Sequence, residues 1–311
     1  MKKPIVLCLS FFLLLVWAVV PAFSWGSATH AFIAGKIGKF FPLMNANERY
    51  GIMAADIFNY VLSTYGDPTI KAYTHGIIQT GDDSFMKVWQ LAKWWGYEKS
   101  LGFGYVAHNE LWGCDFTAHI QARTTGQAEG YVITKARALM PYLRAALPPE
   151  LNPSVTDDVL LELCHNLVES AGDIILTRAD RQIGEKIVSC AILRSNDFPG
   201  LVARAMGPSW KDAVFAAEKE FRKTMILYGA ALTQGEEAAI KALSEQMAQI
   251  GVEFIKMATG GLVVLPLDQA KQLAEFGIRT AISLCENDYM TEVNATTRFV
   301  KANLAAHGVR Y

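Results

Sequence analysis

Apolar residues recur at three- and four-residue spacing through most of this chain, and alternating strand-like runs are hard to find. That period matches a helical turn and not the two-residue pleat of a strand, so the apolar side chains can be buried only by packing helices together. An all-α fold follows. His30, Ile33, Ala34 and Ile37 share one face of a first helix, with Thr29 expected as its cap. Proline and glycine interrupt the pattern at Phe41-Pro42, at Gly66-Asp67-Pro68, from Pro148-Pro149 through Pro153, and at Asn196 to Pro199. Ser154 to Asp180 reads as one long helix, with Thr156-Asp157-Asp158 placing a cap and negative charge at its start. Ser209 to Leu232, Glu236 to Thr259, Leu267 to Glu286 and Asp288 to Ala306 are also helical in pattern, and Gly260 to Pro266 reads as an apolar loop or short strand. Internal repeats and proline- or serine-rich linkers are lacking, so one multi-helix domain over residues 25–311 is expected, with further helices over 181–311.

The first 24 residues read as a secretory signal peptide. Lys2 and Lys3 precede an apolar run from Pro4 to Val20, and Ala22-Phe23-Ser24 supplies small residues for cleavage after Ser24. An exported protein, periplasmic or secreted, is the expectation; the alternative is an uncleaved membrane anchor on a non-catalytic helical protein. Cys8 sits inside the apolar run, not at its end as a lipoprotein would need. Without the two leader lysines, acidic side chains slightly outnumber basic ones, so composition gives no polyanion-binding surface. Cys114, Cys164, Cys190 and Cys285 remain, as disulfides or buried thiols.

Five of the six histidines (His30, His75, His108, His119 and His165) lie within the first 165 residues, several with carboxylates at helical spacing. His165 and Glu169 are four apart, on one helix face about 6 Å apart along the axis. Asp115 and His119 share that spacing, and His108 lies seven before Asp115, which predicts one helical stripe. Imidazole and carboxylate on successive turns suit zinc, which takes nitrogen and oxygen ligands. One such pair is more often a satisfied polar contact; several together favour a metal site.

On these residues the chain resembles the zinc-dependent phospholipase C family, whose fold is similar to that of the single-strand-specific zinc nucleases. The resemblance covers residues 25 to 169, about half of the chain after the leader. It matches Trp25, at the expected cleavage point, to the family's N-terminal tryptophan, whose α-amine and carbonyl oxygen bind zinc. It then matches His30, Asp56 in Gly51-Ile52-Met53-Ala54-Ala55-Asp56, His75 in Tyr73-Thr74-His75-Gly76, the central His108, Asp115 and His119, and finally His165 and Glu169 in His-x-x-x-Glu. One departure stands out: the family's central aspartate falls four after its histidine, whereas position 112 here is Trp. A seven-residue offset stretches the pair by about 10.5 Å along a continuous helix. A bulge near Trp112-Gly113, or substitution by Glu110 or water, is the alternative.

The resemblance implies about three zinc ions: Trp25, His30 and Asp115 around one, His75, His108, Asp56 and a bridging Asp115 around the second, and His119, His165 and Glu169 around the third. Three dications against three carboxylates leave about +3, suited to a phosphodiester and its transition state. The implied activity is phospholipase C cleavage of a phospholipid headgroup by attack of zinc-bound hydroxide, with Asp56 also a general base. The runner-up is a single-strand nuclease or 3'-nucleotidase, the one reading with nucleic acid as partner. A monomer is expected.

Trp89, Trp94 and Trp95 offer a peripheral membrane contact, but core packing is the expectation for such aromatics. Phe58, Tyr60 and Tyr65 are likewise expected to pack rather than to form a ring-lined pocket. Asp82-Asp83 reads as an exposed turn and His307 as a surface residue. Asp173 stands four after Glu169, where it can orient a zinc ligand. Cys114 and Cys164 each precede a candidate ligand, which makes a bridge between them conceivable.

Overall fold

Helix α1 (Ser27–Ile37) begins earlier than expected, and no residue of its own first turn caps it by side chain. The cap comes instead from Asp173, which accepts the backbone N–H of Ala28 at 2.6 Å and of Thr29 at 2.9 Å. Thr29, expected as the cap, donates its hydroxyl to the same carboxylate at 2.7 Å. A carboxylate placed there satisfies amides that have no partner within the helix and faces the positive end of its dipole. The computed structural model describes residues 25–60, 84–126, 128–149, 151–258, 261 and 264–311. The leader, His75, Tyr65, the break at Gly66-Asp67-Pro68, Asp82-Asp83 and most of the Gly260–Val263 stretch lie outside the described residues.

After α1 come α2 (Pro42–Met53), with its proline at the first position where the missing N–H costs nothing, and a 3₁₀ segment (Ala54–Tyr60). Next are α3 (Met86–Leu91), α4 (Glu98–His108), a π-helical turn (Phe116–Ile120), α5 (Tyr131–Ala146) and α6 (Asp157–Ala179). Then follow α7 (Ile183–Leu193), α8 (Phe198–Met206), α9 (Lys211–Leu232), α10 (Glu236–Ala258), α11 (Leu267–Cys285) and α12 (Tyr289–Ala306). Among the described residues there is no strand, as the periodicity predicts.

Helix α6 runs through the middle, packed by α5, α10 and α11. Its side chains from Leu160 to Leu176 are mostly buried, so the polar groups on its inner face must be satisfied inside the protein. Helices α2 and α4 approach closely enough that a Cβ at Gly51 would lie 2.2 Å from the Leu101 carbonyl oxygen, and one at Gly104 2.0 Å from that of Glu48. Glycine is required on both sides of that contact. One apolar core extends from Trp25 to Val309, with a small satellite of Leu151, Ala248, Ile255, Leu265 and Ala270. The helices after residue 180 therefore share the core of the ligand-bearing part, in one compact domain. No described helix is long and apolar enough to cross a membrane.

Candidate metal centre

Thr156 caps α6 by accepting the Val159 N–H at 3.3 Å, with Asp157 and Asp158 in the first turn as expected. That start sets the phase which turns His165, Glu169 and Asp173 inward on successive turns. His165 Nε2 lies 3.0 Å from Glu169 Oε1 and 3.3 Å from His119 Nε2, the latter brought in by the π-helical turn. In a tetrahedral zinc site with metal–nitrogen bonds of about 2.0–2.1 Å, two donors are about 3.3 Å apart. The His119, His165 and Glu169 donor atoms therefore stand near the spacing that a shared cation requires.

The stripe expected from His108 to His119 does not form. Helix α4 ends at His108, and Asn109 turns the chain out with φ −34° and ψ 158°. The Asn109 side-chain oxygen accepts the N–H groups of Leu111 at 2.9 Å and Trp112 at 2.8 Å, which fixes a tight turn. The seven-residue offset is thus folded back, not stretched along an axis. Asp115 Oδ2 comes to 2.8 Å from His108 Nε2, and Asp115 Oδ1 to 3.5 Å from His30 Nε2. Asp56 reaches the same histidine from the 3₁₀ segment, where its backbone is non-helical (φ −89°, ψ 16°), and its Oδ1 is 3.3 Å from His108 Nε2. The His30 and His108 rings stack with centroids 4.5 Å apart. His30, Asp56 and His108 form one group of converging donors, and Glu110, Asp115 and His119 another beside it.

Trp25 is buried against the same elements. Its indole N–H is 3.0 Å from both the Cys114 carbonyl oxygen and Thr117 Oγ1, and its ring stacks on Tyr131 with centroids 5.5 Å apart. The side chain thereby ties the start of α1 to the segment that carries Asp115 and His119. Asp173 bonds no candidate ligand side chain directly; it caps α1, which carries His30, and takes the Tyr228 hydroxyl at 2.7 Å.

His108 Nδ1 sits 2.9 Å from the Ile52 carbonyl oxygen, a contact that places a proton on Nδ1 and aims the other nitrogen at Asp56 and Asp115. Burial works against a charged His108, yet Asp115 and Asp56 hold its imidazole well above the ordinary histidine range. His30, buried beside it, is driven well below that range, by burial first and then by the charge of His108. Asp115 is raised by burial, against the pull of His108. In the outer group burial lowers His165, but Glu169 overrides it and carries the imidazole up to about 10, while burial pushes Glu169 up to about 7. Glu110 raises His119 against its own burial. In each group the carboxylates raise the proton affinity of an imidazole, and a cation held there would balance the same negative charge.

No family model, curated protein or solved structure matches this chain. What the residues can hold is therefore decided by their chemistry. His108 Nε2, both Asp115 oxygens and Glu169 Oε1 are buried, yet none makes a hydrogen bond of acceptable geometry. Orphaned atoms that converge from imidazole and carboxylate donors could hold a divalent metal ion. Eight of the nine candidate ligands are described; His75 is the exception.

Two carboxylates not counted among the candidate ligands back the outer histidines. Glu110 Oε1 is 2.7 Å from His119 Nδ1, and Glu162 Oε2 is 3.9 Å from His165 Nδ1. Glu162 precedes His165 by three residues on α6, a spacing legible in the sequence. All four cysteines after the leader are buried free thiols, so Cys114 and Cys164 do not bridge. Trp94 and Trp95 are exposed, against the expectation of core packing, whereas Trp89 and Phe58 are buried. His307 is exposed and stacks on Trp112, with centroids 4.3 Å apart.

Proposed function

We propose that the chain is a zinc-dependent phosphodiester hydrolase, of the phospholipase C type that the order of its ligands resembles. The observation that carries the reading is His108 Nε2, a buried nitrogen set between the carboxylates of Asp56 and Asp115, with a second imidazole–carboxylate group one residue pair away at His119, His165 and Glu169. Three carboxylates and four imidazoles, so buried, are costly to keep unless cations balance them. Zinc when bound supplies a Lewis acid for phosphoryl oxygens and lowers the pKa of a water.

His30, His108, Asp56 and Asp115 hold the inner position, and His119, His165 and Glu169 the outer one. Trp25 would add its α-amine and carbonyl oxygen if the chain is cleaved after Ser24. Asp56 is slightly exposed, unlike Asp115, and is the carboxylate placed to take a proton from water entering beside His108. Glu110 orients His119 at 2.7 Å, and Glu162 adds negative charge 3.9 Å from His165.

The test uses purified protein with its zinc measured by elemental analysis, assayed on a short-chain phosphatidylcholine, single-stranded DNA and a 3'-nucleotide side by side. Hydrolysis of the lipid, lost about 100-fold or more in His165→Ala and Glu169→Ala, is expected. Zinc below one equivalent, or activity that survives both substitutions, overturns the catalytic reading; hydrolysis of DNA or the nucleotide alone moves the substrate to the nuclease branch.

A further inference from the structure

The exposed tryptophans belong to a larger surface. Phe40 is 100% exposed, Phe41 72%, Trp94 67% and Trp95 85%. Large aromatic rings left in water at this level mark an interaction site. Phe40 and Phe41 lie just before α2, and Trp94 and Trp95 just before α4. Ring contacts through Tyr311 bring the two loops onto one face: Lys39 Nζ sits 5.0 Å over the Tyr311 ring, Tyr311 is 5.9 Å from Trp89, and Trp89 is 6.4 Å from Trp94.

The charge that these two loops carry has one sign. Lys36, Lys39 and Lys93 are exposed beside the rings, and neither Lys36–Asn47 nor Ser84–Tyr97 contains an acidic residue. The first acids after them, Glu48 and Glu98, are buried and turned inward. Glu48 accepts the backbone N–H of Lys39 at 2.8 Å, and Glu98 accepts that of Lys93 at 2.8 Å while pairing with Arg204 at 2.8 Å. Each loop is thus pinned from beneath by a carboxylate that the surface does not see. The whole chain has a formal charge of −1, so the cationic character is local.

Aromatic rings that accept a half-wet setting, framed by lysines without acids, match the headgroup region of an anionic membrane. We propose that this face docks the protein onto anionic lipid bilayers. A second copy of the chain would set lysine against lysine, which argues against self-association. Asp56 and His108 stand at or beyond the opposite ends of α2 and α4, so docking is separate from the metal centre and does not rest on the proposed chemistry.

Vesicles of phosphatidylcholine with and without phosphatidylglycerol test it by co-sedimentation. The full chain and its variants share every residue before Trp25, so differences between them report this face. Binding to the phosphatidylglycerol vesicles is expected, with the partition coefficient lowered roughly 30-fold by Lys39→Ala with Lys93→Ala and at least about 100-fold by Ala at Phe40, Phe41, Trp94 and Trp95 together. Raised salt weakens wild-type binding. Ile192→Ala with Leu193→Ala, which trims exposed apolar side chains elsewhere, leaves it unchanged. Circular dichroism checks that each variant is folded, and hydrolysis of a soluble ester is read separately, so an inactive protein leaves the docking result intact. Equal partition of the aromatic variant and wild type overturns the proposal, as does equal binding to vesicles without phosphatidylglycerol. A face that binds single-stranded oligonucleotide or a second copy, and no vesicle, overturns it too.

Discussion

Asp173 determines where the inner metal group begins. Each of its oxygens takes one backbone N–H and one hydroxyl: Oδ2 takes Ala28 N–H and the Tyr228 hydroxyl, Oδ1 takes Thr29 N–H and the Thr29 hydroxyl. Asp173→Ala removes the shared acceptor of two backbone N–H groups and two hydroxyls, of which the Thr29 hydroxyl keeps Tyr289 as a partner. At about 1 kcal/mol or more each, less the cost of burying the carboxylate that already raises its pKa, the loss is about 3–5 kcal/mol. A chain of this length has an unfolding entropy of about 0.6 kcal/mol/K, so the melting temperature falls by roughly 5–8 °C. Asp173→Asn is more diagnostic: whichever way the amide is placed, its NH₂ faces one backbone N–H of α1, so the variant keeps about half the loss. Calorimetry measures both, and zinc titration follows the His30 group, which moves with α1, against the His119–His165–Glu169 group, which does not. An Asp173→Asn protein as stable as wild type would refute the capping arrangement and with it the account of how His30 is placed.

Four further outcomes follow. Glu110→Gln and Glu162→Gln lower zinc affinity at the outer group by about 10–100-fold while the fold is kept, read by competition with a chelating dye. Without metal, His165, raised to about 10, contributes stability that is complete below its unfolded pKa and is lost as pH rises toward about 10; Glu169, raised from 4.5 to about 7, costs stability earlier, as pH rises toward about 7. Metal-free protein therefore melts at lower temperature between pH 7 and 10, with a smaller fall in His165→Ala, whereas zinc affinity rises with pH because the metal displaces protons; a flat metal-free profile contradicts the pairing. Chelation of zinc at about a thousandfold excess over its Kd removes about 4 kcal/mol per site, a fall of roughly 7 °C in scanning calorimetry. Asn109→Ala, which removes the acceptor for Leu111 and Trp112 N–H, separates Asp115 from His108 and lowers zinc content at the inner group before the outer.

The long helices were legible because their signals are local: Thr156 with two following aspartates starts α6, and Pro42 starts α2. His165 and Glu169 were legible for the same reason, being one turn apart on a helix. The approach of Asp115 to His108 was expected from the resemblance, with a bulge near Trp112-Gly113 as one route, but the turn at Asn109 that makes it was not, because the seven-residue offset also suits a continuous helix. Only the Asn109 side chain, with Gly113 four residues on, breaks it, and an Asx turn inside a helical pattern is a faint signal. Asp173 was placed correctly on the inner face but given the wrong neighbour, since capping α1 across 145 positions leaves no periodic trace. Trp94 and Trp95 were expected inside because hydrophobicity alone does not reveal that a loop before α4 carries its rings outward.

The central proposal is that the converging imidazoles and carboxylates hold zinc. Anomalous diffraction at the zinc edge, on crystals grown from protein purified with zinc, tests it most directly. The account predicts one anomalous peak bounded by His119, His165 and Glu169 and at least one more among His30, Asp56, His108 and Asp115, each about 2.0–2.2 Å from its ligands. Folded protein with both places free of anomalous density, and His108 Nε2 still 2.8 Å from Asp115, would contradict it.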